Sequence, residues 1–125
     1  MDIKTVDVVV GGAIEVRLAF DGIATYKVLE YAEKAGGGWT LDKTLQSSGH
    51  SHDAQADNYV LTPVGSGAQR LIYIAANMSS VTGTDPVSMQ ASFFQGNNRF
   101  YQDTQRGTDD GSLVQLITRV IVKGA

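Results

Sequence analysis

Two histidines and two aspartates lie within nine positions, in the stretch GHSHDAQAD at residues 49–57, and the chain has no other histidine. On an extended strand, an H-x-H pair directs both imidazoles to one side, and a nearby carboxylate can complete a site for Zn, Ni or Cu. The stretch also lacks apolar periodicity, which favours a solvated surface loop without neighbours to orient the rings. We expect the loop and keep a divalent metal as the alternative; its candidate ligands are His50, His52, Asp53 and Asp57.

A second concentration of polar groups lies at residues 93–111, FFQGNNRFYQDTQRGTDDG. Amides, carboxylates and aromatic rings hold sugar hydroxyls and stack on sugar faces, and paired aspartates are typical Ca²⁺ ligands. One interpretation is a single ligand-binding connection between strands. The other is a hairpin with a GNN turn, an edge strand and a tight turn at RGTDDG. The candidate ligand-binding residues are Asn97, Asn98, Arg99, Tyr101, Asp103, Asp109 and Asp110.

The stretch AGGGW at residues 35–39 predicts a flexible hairpin tip followed by Trp39, the single tryptophan of the chain. Aromatic residues favour the interior of β-sheets, so we expect Trp39 in the core. As an exposed residue it would anchor a sugar or a protein partner, and it therefore joins the ligand-binding candidates.

Catalytic signals are weak along the whole chain. There is no cysteine nucleophile, the serines of QSSGH lack the setting of a nucleophile elbow, and thirteen acidic residues are spread without a distinguished pair. We therefore expect a protein that is not an enzyme.

The elements that would position these groups are predicted to be strands. In AIEVRLAF, Ile14, Val16 and Leu18 alternate with polar residues, which is typical of a half-buried strand. VDVVV at 6–10 has the same alternation, and the glycines at 11 and 12 predict a hairpin between the two. Further strands are predicted at 58–63, 70–78, 87–94 and 112–123, and the 70–78 and 112–123 strands have apolar residues on both faces, as central strands do.

Residues 25–35 allow two interpretations. Val28, Tyr31, Ala32 and Ala35 have helical spacing before a glycine stop, whereas a strand would turn Tyr26 and Val28 inward. We favour the strand, as the first half of a hairpin, because the rest of the chain is predicted to be β.

The spacing of strands and turns predicts one all-β domain over residues 1–125, an antiparallel β-sandwich of jelly-roll or immunoglobulin-like type with roughly seven to nine strands. The alternatives are an up-and-down β-barrel and a sandwich with one helix at residues 25–35. Without cysteine there are no disulfides.

A net charge of −3 with scattered basic residues argues against nucleic acid as a partner, and no apolar stretch is long enough to span a bilayer. The start of the sequence does not resemble a cleaved signal, so we expect a cytoplasmic protein or one exported without such a signal. The expected function is lectin-like binding of a carbohydrate or small ligand through inter-strand loops. The alternatives are a homo-oligomer that self-associates through an apolar sheet face, and a metal-binding protein or metal-dependent enzyme that uses residues 50–57.

Overall fold

Two β-sheets pack face to face in the computed structural model, which describes residues 3–52, 56–80 and 85–125. The strands are β1 (Lys4–Val8), β2 (Ile14–Asp21), β3 (Ile23–Glu33), β4 (Trp39–His52), β5 (Ala56–Leu61), β6 (Gln69–Ser79), β7 (Pro86–Gln95), β8 (Asn98–Thr108) and β9 (Val114–Gly124). One sheet has five strands in the order β1-β9-β6-β3-β4, and the other has four in the order β5-β2-β7-β8. The predicted all-β sandwich is confirmed, and the chain does not form the alternative of one closed barrel.

The first predicted hairpin is wrong. β1 does not pair with β2 but runs parallel to β9, with Val6 opposite Val122, whereas β2 lies in the other sheet between β5 and β7. The glycine pair instead lies in the connection that carries the chain from one sheet to the other, where the Gly11 amide donates to the Val64 carbonyl. Alternation identifies a strand but not its partner, and here the partner is the last strand of the chain.

Residues 25–35 contain no helix, because β3 pairs along its length with β4 on one side and β6 on the other. Tyr26 and Val28 are buried, as predicted for the strand. Backbone pairing with two neighbours satisfies the same hydrogen-bonding groups that a helix would use, and it overrides the helical spacing. Residues 36–38 form the tip of the hairpin, each with a positive φ that glycine adopts without a steric penalty.

The core lies between the two sheets and is built from the inward positions of alternating strands. β6 and β9 each pair with a strand on both sides in the five-stranded sheet, which confirms the prediction that they are not edge strands. The largest fully buried apolar side chains are those of Phe20, Phe93, Ile14, Leu18, Leu61, Ile72, Ile74, Met78 and Met89. No helix among the described residues is long and apolar enough to cross a membrane.

Candidate functional site

The predicted ligand-binding stretch at residues 97–110 is not one connection between strands. Most of it is β8, which forms a hairpin with β7 and is an edge strand of the four-stranded sheet. A strand rises about 3.3 Å per residue, so Asn98 and Asp109 lie about 35 Å apart. The structure therefore corrects the single-loop interpretation in favour of the hairpin, with Asn97 and Asn98 at one end and Asp109 and Asp110 at the other.

Two candidates on β8 have internal contacts. Tyr101 packs on Phe93 with the ring centroids 5.8 Å apart. Burial is the main cause that raises the pKa of the Tyr101 phenol, and the nearby negative charge of Asp103 raises it further. The Asp103 carboxylate accepts a hydrogen bond of 2.8 Å from the Thr118 hydroxyl, and both of its oxygens accept from the Gln105 amide. Arg99 is exposed on the opposite face of the sheet. These residues hold β8 against β9 and do not converge on a ligand.

Asp109 stabilises the turn between β8 and β9. It is 4% exposed, and its carboxylate accepts hydrogen bonds of 2.9 Å from the Ser80 and Gly111 amides. These backbone donors lower the pKa of Asp109 below its usual value. Asp110 is exposed and accepts a single bond of 3.3 Å from the Ser112 amide.

The histidine and aspartate stretch is mostly strand rather than loop. β4 continues to His52, and β5 begins at Ala56. His50 is exposed on the outer face of the five-stranded sheet, where its Nδ1 lies 3.5 Å from the Thr25 hydroxyl. Asp57 points between the sheets, so these two candidate ligands do not share a site. Asp53 and the side chain of His52 lie outside the described residues, and the described part of the chain contains no group of three metal-ligating side chains.

Asp57 belongs to a polar cluster that joins the two sheets. The Tyr26 hydroxyl donates a hydrogen bond of 2.6 Å to its carboxylate and contacts the Tyr59 hydroxyl. Burial raises the pKa of Tyr26 well above its usual value, and the bonds to Asp57 and Tyr59 raise it further. Gly49 lies opposite Tyr26, where a side chain would collide with the phenol ring.

Three aromatic side chains form an oblique line across the outer face of the five-stranded sheet. Trp39 pairs with Glu33, Tyr31 lies two residues before Glu33, and Tyr73 pairs with Leu29, two residues before Tyr31. Each step moves to the neighbouring strand and two residues along it, which separates successive residues by about 7–8 Å. Trp39, Tyr31 and Tyr73 are all half-buried, and we call them the aromatic diagonal. The prediction of Trp39 in the core is wrong, because Trp39 pairs with Glu33, whose side chain lies on the outer face of the sheet.

An apolar row crosses the aromatic diagonal at Tyr31. Pairing across four strands places Ile121, Leu71, Tyr31 and Leu41 side by side. Leu71 is almost fully covered by its neighbours, whereas Leu41 on the edge strand is 52% exposed. The outer face of this sheet is therefore apolar along this row.

A polar depression adjoins the Tyr73 end of the aromatic diagonal. It encloses about 150 Å³, and Ala75 opposite Lys27 provides its small apolar floor. The Lys27 amine lies 5.8 Å from the centroid of the Tyr73 ring. We call this feature the Lys27 depression; its other lining residues are Thr25, Tyr26, Ser47, Asn77 and Gln115.

Two other surfaces are less suited to a polar ligand. A cleft of about 520 Å³ is lined by Val9, Val10 and Phe100, but the Gln95 amide that also lines it is already bonded to the Val9 backbone. On the outer face of the four-stranded sheet, the Arg17 guanidinium covers the Phe94 ring at 4.0 Å from its centroid. The aromatic diagonal and the Lys27 depression together are the best candidate site.

The fold has a solved counterpart. The structure is similar to the crystal structure of a domain of unknown function, DUF4425, from Bacteroides vulgatus, with a TM-score of 0.53. The two sequences are 10% identical, and the alignment covers 91% of this chain and 97% of that one. At this identity the likeness concerns the fold alone. No protein-family model and no curated protein matches the sequence.

Sequence reasoning identified Trp39 as a candidate but missed Tyr31 and Tyr73. Both tyrosines occupy alternate positions of strands with apolar residues on each face, so alternation alone does not say which face is outward. The helical interpretation of residues 25–35 also placed Tyr31 on a face with Val28, which the strand buries on the opposite side. The strand register, which places Tyr31 opposite Leu41 and Leu71, shows that Tyr31 lies on the outer face.

Proposed function

We propose that this protein is a carbohydrate-binding module that holds a glycan chain along the aromatic diagonal. The observation that carries the proposal is the placement of Trp39, Tyr31 and Tyr73 in one line on a sheet face, at steps of about 7–8 Å. This differs from the loop site predicted from the sequence, although Trp39 belongs to both.

Stacking supplies the attraction in this proposal. The face of an aromatic ring carries a partial negative charge, and the C–H groups of a pyranose ring carry small positive charges. A sugar ring therefore stacks flat on the aromatic ring. A sheet face keeps the three side chains at fixed positions, which reduces the conformational entropy lost on binding. The half-exposed rings follow one line across the sheet face, which suits an extended chain better than a single small molecule.

Polar groups beside the aromatic rings supply orientation. Asn77 and Gln115 are neighbours in register on β6 and β9, both are exposed, and neither side chain has a hydrogen-bond partner among the described residues. Amides in this position can donate to and accept from sugar hydroxyls, as the few directed polar groups of a ligand site usually do.

A glycan array with matched variants tests the proposal. Tyr31→Leu and Tyr73→Leu keep apolar bulk in the sheet face but remove the ring, and each should weaken binding about 2- to 13-fold, the value of one aromatic contact. Phe94→Ala is the control, because it removes an outward ring from the other sheet. An array without any bound glycan, or glycan binding that only Phe94→Ala weakens, would contradict the proposal.

Self-association remains a separate prediction for the same face. The apolar row is the feature that favours it, because burying Leu41 and its neighbours between two copies would be favourable. Sedimentation over a range of concentrations distinguishes the two functions. A monomer that binds glycan supports the carbohydrate module, whereas a dimer that Leu41→Lys dissociates, with no glycan bound by either form, replaces it.

A further inference from the structure

Lys27 has no acidic partner in the described structure. It lies on β3 between Thr25 and Leu29, on the outer face of the five-stranded sheet, and none of the ion pairs of the described residues includes it. Its amine lies over the Tyr73 ring instead. A lysine stem that lies along an aromatic ring presents a positive charge at a defined place.

Two other charged residues lie on the same face of the sheet as Lys27, namely Arg119 and Glu33. Arg119, opposite Tyr73 on β9, is engaged in an interaction of its own, so the charge available beside the Lys27 depression is that of Lys27. Glu33 belongs to the Trp39 end of the aromatic diagonal, where its carboxylate already accepts a hydrogen bond of 2.9 Å from the backbone N–H of Gln69. Lys27 is therefore the charge that a ligand in the Lys27 depression would meet.

We infer that the glycan bound on the aromatic diagonal is an acidic one, with a sugar carboxylate seated in the Lys27 depression. This inference rests on the proposed function and names its ligand class. Lys27 would supply the charge, and the Thr25 hydroxyl and the Asn77 and Gln115 amides, which line the same depression, would supply hydrogen-bond donors.

Carboxylate and sulfate groups on sugars share this anionic chemistry, and the carboxylate is favoured for a geometric reason. It has two oxygens in one plane, and the Asn77 and Gln115 amides are in register on adjacent strands beside Lys27. A uronic acid in an extended polysaccharide carries such a group on its ring. The probe is therefore an oligogalacturonate, compared with its methyl ester of the same length and with a sulfated oligosaccharide.

Calorimetric titration of the full chain tests the inference. The acid should bind the native protein about five-fold more tightly than its methyl ester at low ionic strength, and this preference should shrink as salt is added. Lys27→Met keeps the apolar stem and should reduce the binding of the acid to that of the ester. Lys27→Arg restores the charge and should restore the preference. Because Lys27 is exposed, both variants should melt at the temperature of the native protein, which excludes unfolding as the cause.

The results that would contradict the acidic ligand differ from those that would contradict the carbohydrate module. Equal binding of acid and ester, with both weakened by Tyr31→Leu, would overturn the acidic ligand and support the carbohydrate module. Tighter binding of the sulfated probe than of the uronate would overturn the carboxylate. Tight binding of an oligothymidylate without binding of any sugar would overturn both proposals, because aromatic rings with nearby cations also stack the bases of single-stranded nucleic acid.

Discussion

The Tyr26 hydroxyl donates a hydrogen bond of 2.6 Å to the Asp57 carboxylate. Tyr26 belongs to β3 of the five-stranded sheet and Asp57 to β5 of the four-stranded sheet, so this bond crosses the core. It lies on the side of the sandwich where the edge strands β4 and β5 follow one another in the chain. The two residues therefore connect the two sheets next to the end of β4 that contains Gly49, whereas Trp39 lies at the other end of β4.

Removing the Tyr26 hydroxyl should destabilise the fold. In Tyr26→Phe the half-buried Asp57 loses a donor, and we expect the free energy of unfolding to fall by about 1–2 kcal/mol. Urea denaturation measures the change. Tyr31→Phe on the outer face is the matched control and should stay within about 0.5 kcal/mol of the native protein. Equal effects of the two variants would show that the Tyr26–Asp57 bond adds nothing to stability.

Alkaline titration should single out Tyr26. Its pKa in the folded state is raised by burial and by its bonds to Asp57 and Tyr59, so the protonated form is favoured by folding. The resulting stability is complete below the ordinary tyrosine pKa of about 10 and declines as the pH rises above that value. Ultraviolet absorbance should show a step of tyrosine ionisation that accompanies unfolding, and Tyr26→Phe should remove this step. Ionisation of all five tyrosines in the folded protein would contradict the buried cluster.

Asp109 should make the protein sensitive to acid. Its pKa is lowered by hydrogen bonds from the Ser80 and Gly111 amides, so the ionised form is favoured by folding. The stability that follows is present above the unfolded pKa of about 4 and is lost as the pH falls towards the lower folded value. Asp109→Asn should lower the melting temperature at pH 7 and flatten its decline below about pH 4. Asp110→Asn, at an exposed position, should change neither property.

Gly49 should not tolerate a side chain. A Cβ atom there would lie 2.5 Å from Cζ of Tyr26, so Gly49→Ala must displace the ring that bonds Asp57. We expect a loss of about 1–3 kcal/mol in the free energy of unfolding, as for overpacking in a core. Gly65→Ala is the control, because a Cβ at Gly65 meets open space. A native-like stability of Gly49→Ala would mean that the ring has room to move.

Alternation in the sequence predicted most strands, because an inward apolar residue at every second position needs no knowledge of the partner strand. It could not predict that β1 pairs in parallel with β9, since that contact joins the two ends of the chain. It also missed that GHSHDAQAD is mostly strand, because an edge strand can be polar on its exposed face. Backbone pairing, which no side-chain pattern encodes, decides both cases.

The candidate site was less predictable than the fold for the same reason. Asn97 to Asp110 are close in sequence, but a strand of eleven residues separates their ends. Trp39, Tyr31 and Tyr73 are far apart in sequence, yet strand register places them in one line. A site on a sheet face is set by register, and alternation alone does not reveal the register of a strand whose two faces are both apolar.

Backbone amide chemical shifts, recorded while a glycan selected on the array is titrated into the labelled protein, test the central claim most directly. We predict that the shifts that move cluster on β3, β4 and β6 around Trp39, Tyr31 and Tyr73, with Lys27 among them. Changes confined to β7 and β8, around Asn97 to Asp110, would contradict the aromatic diagonal as the binding surface.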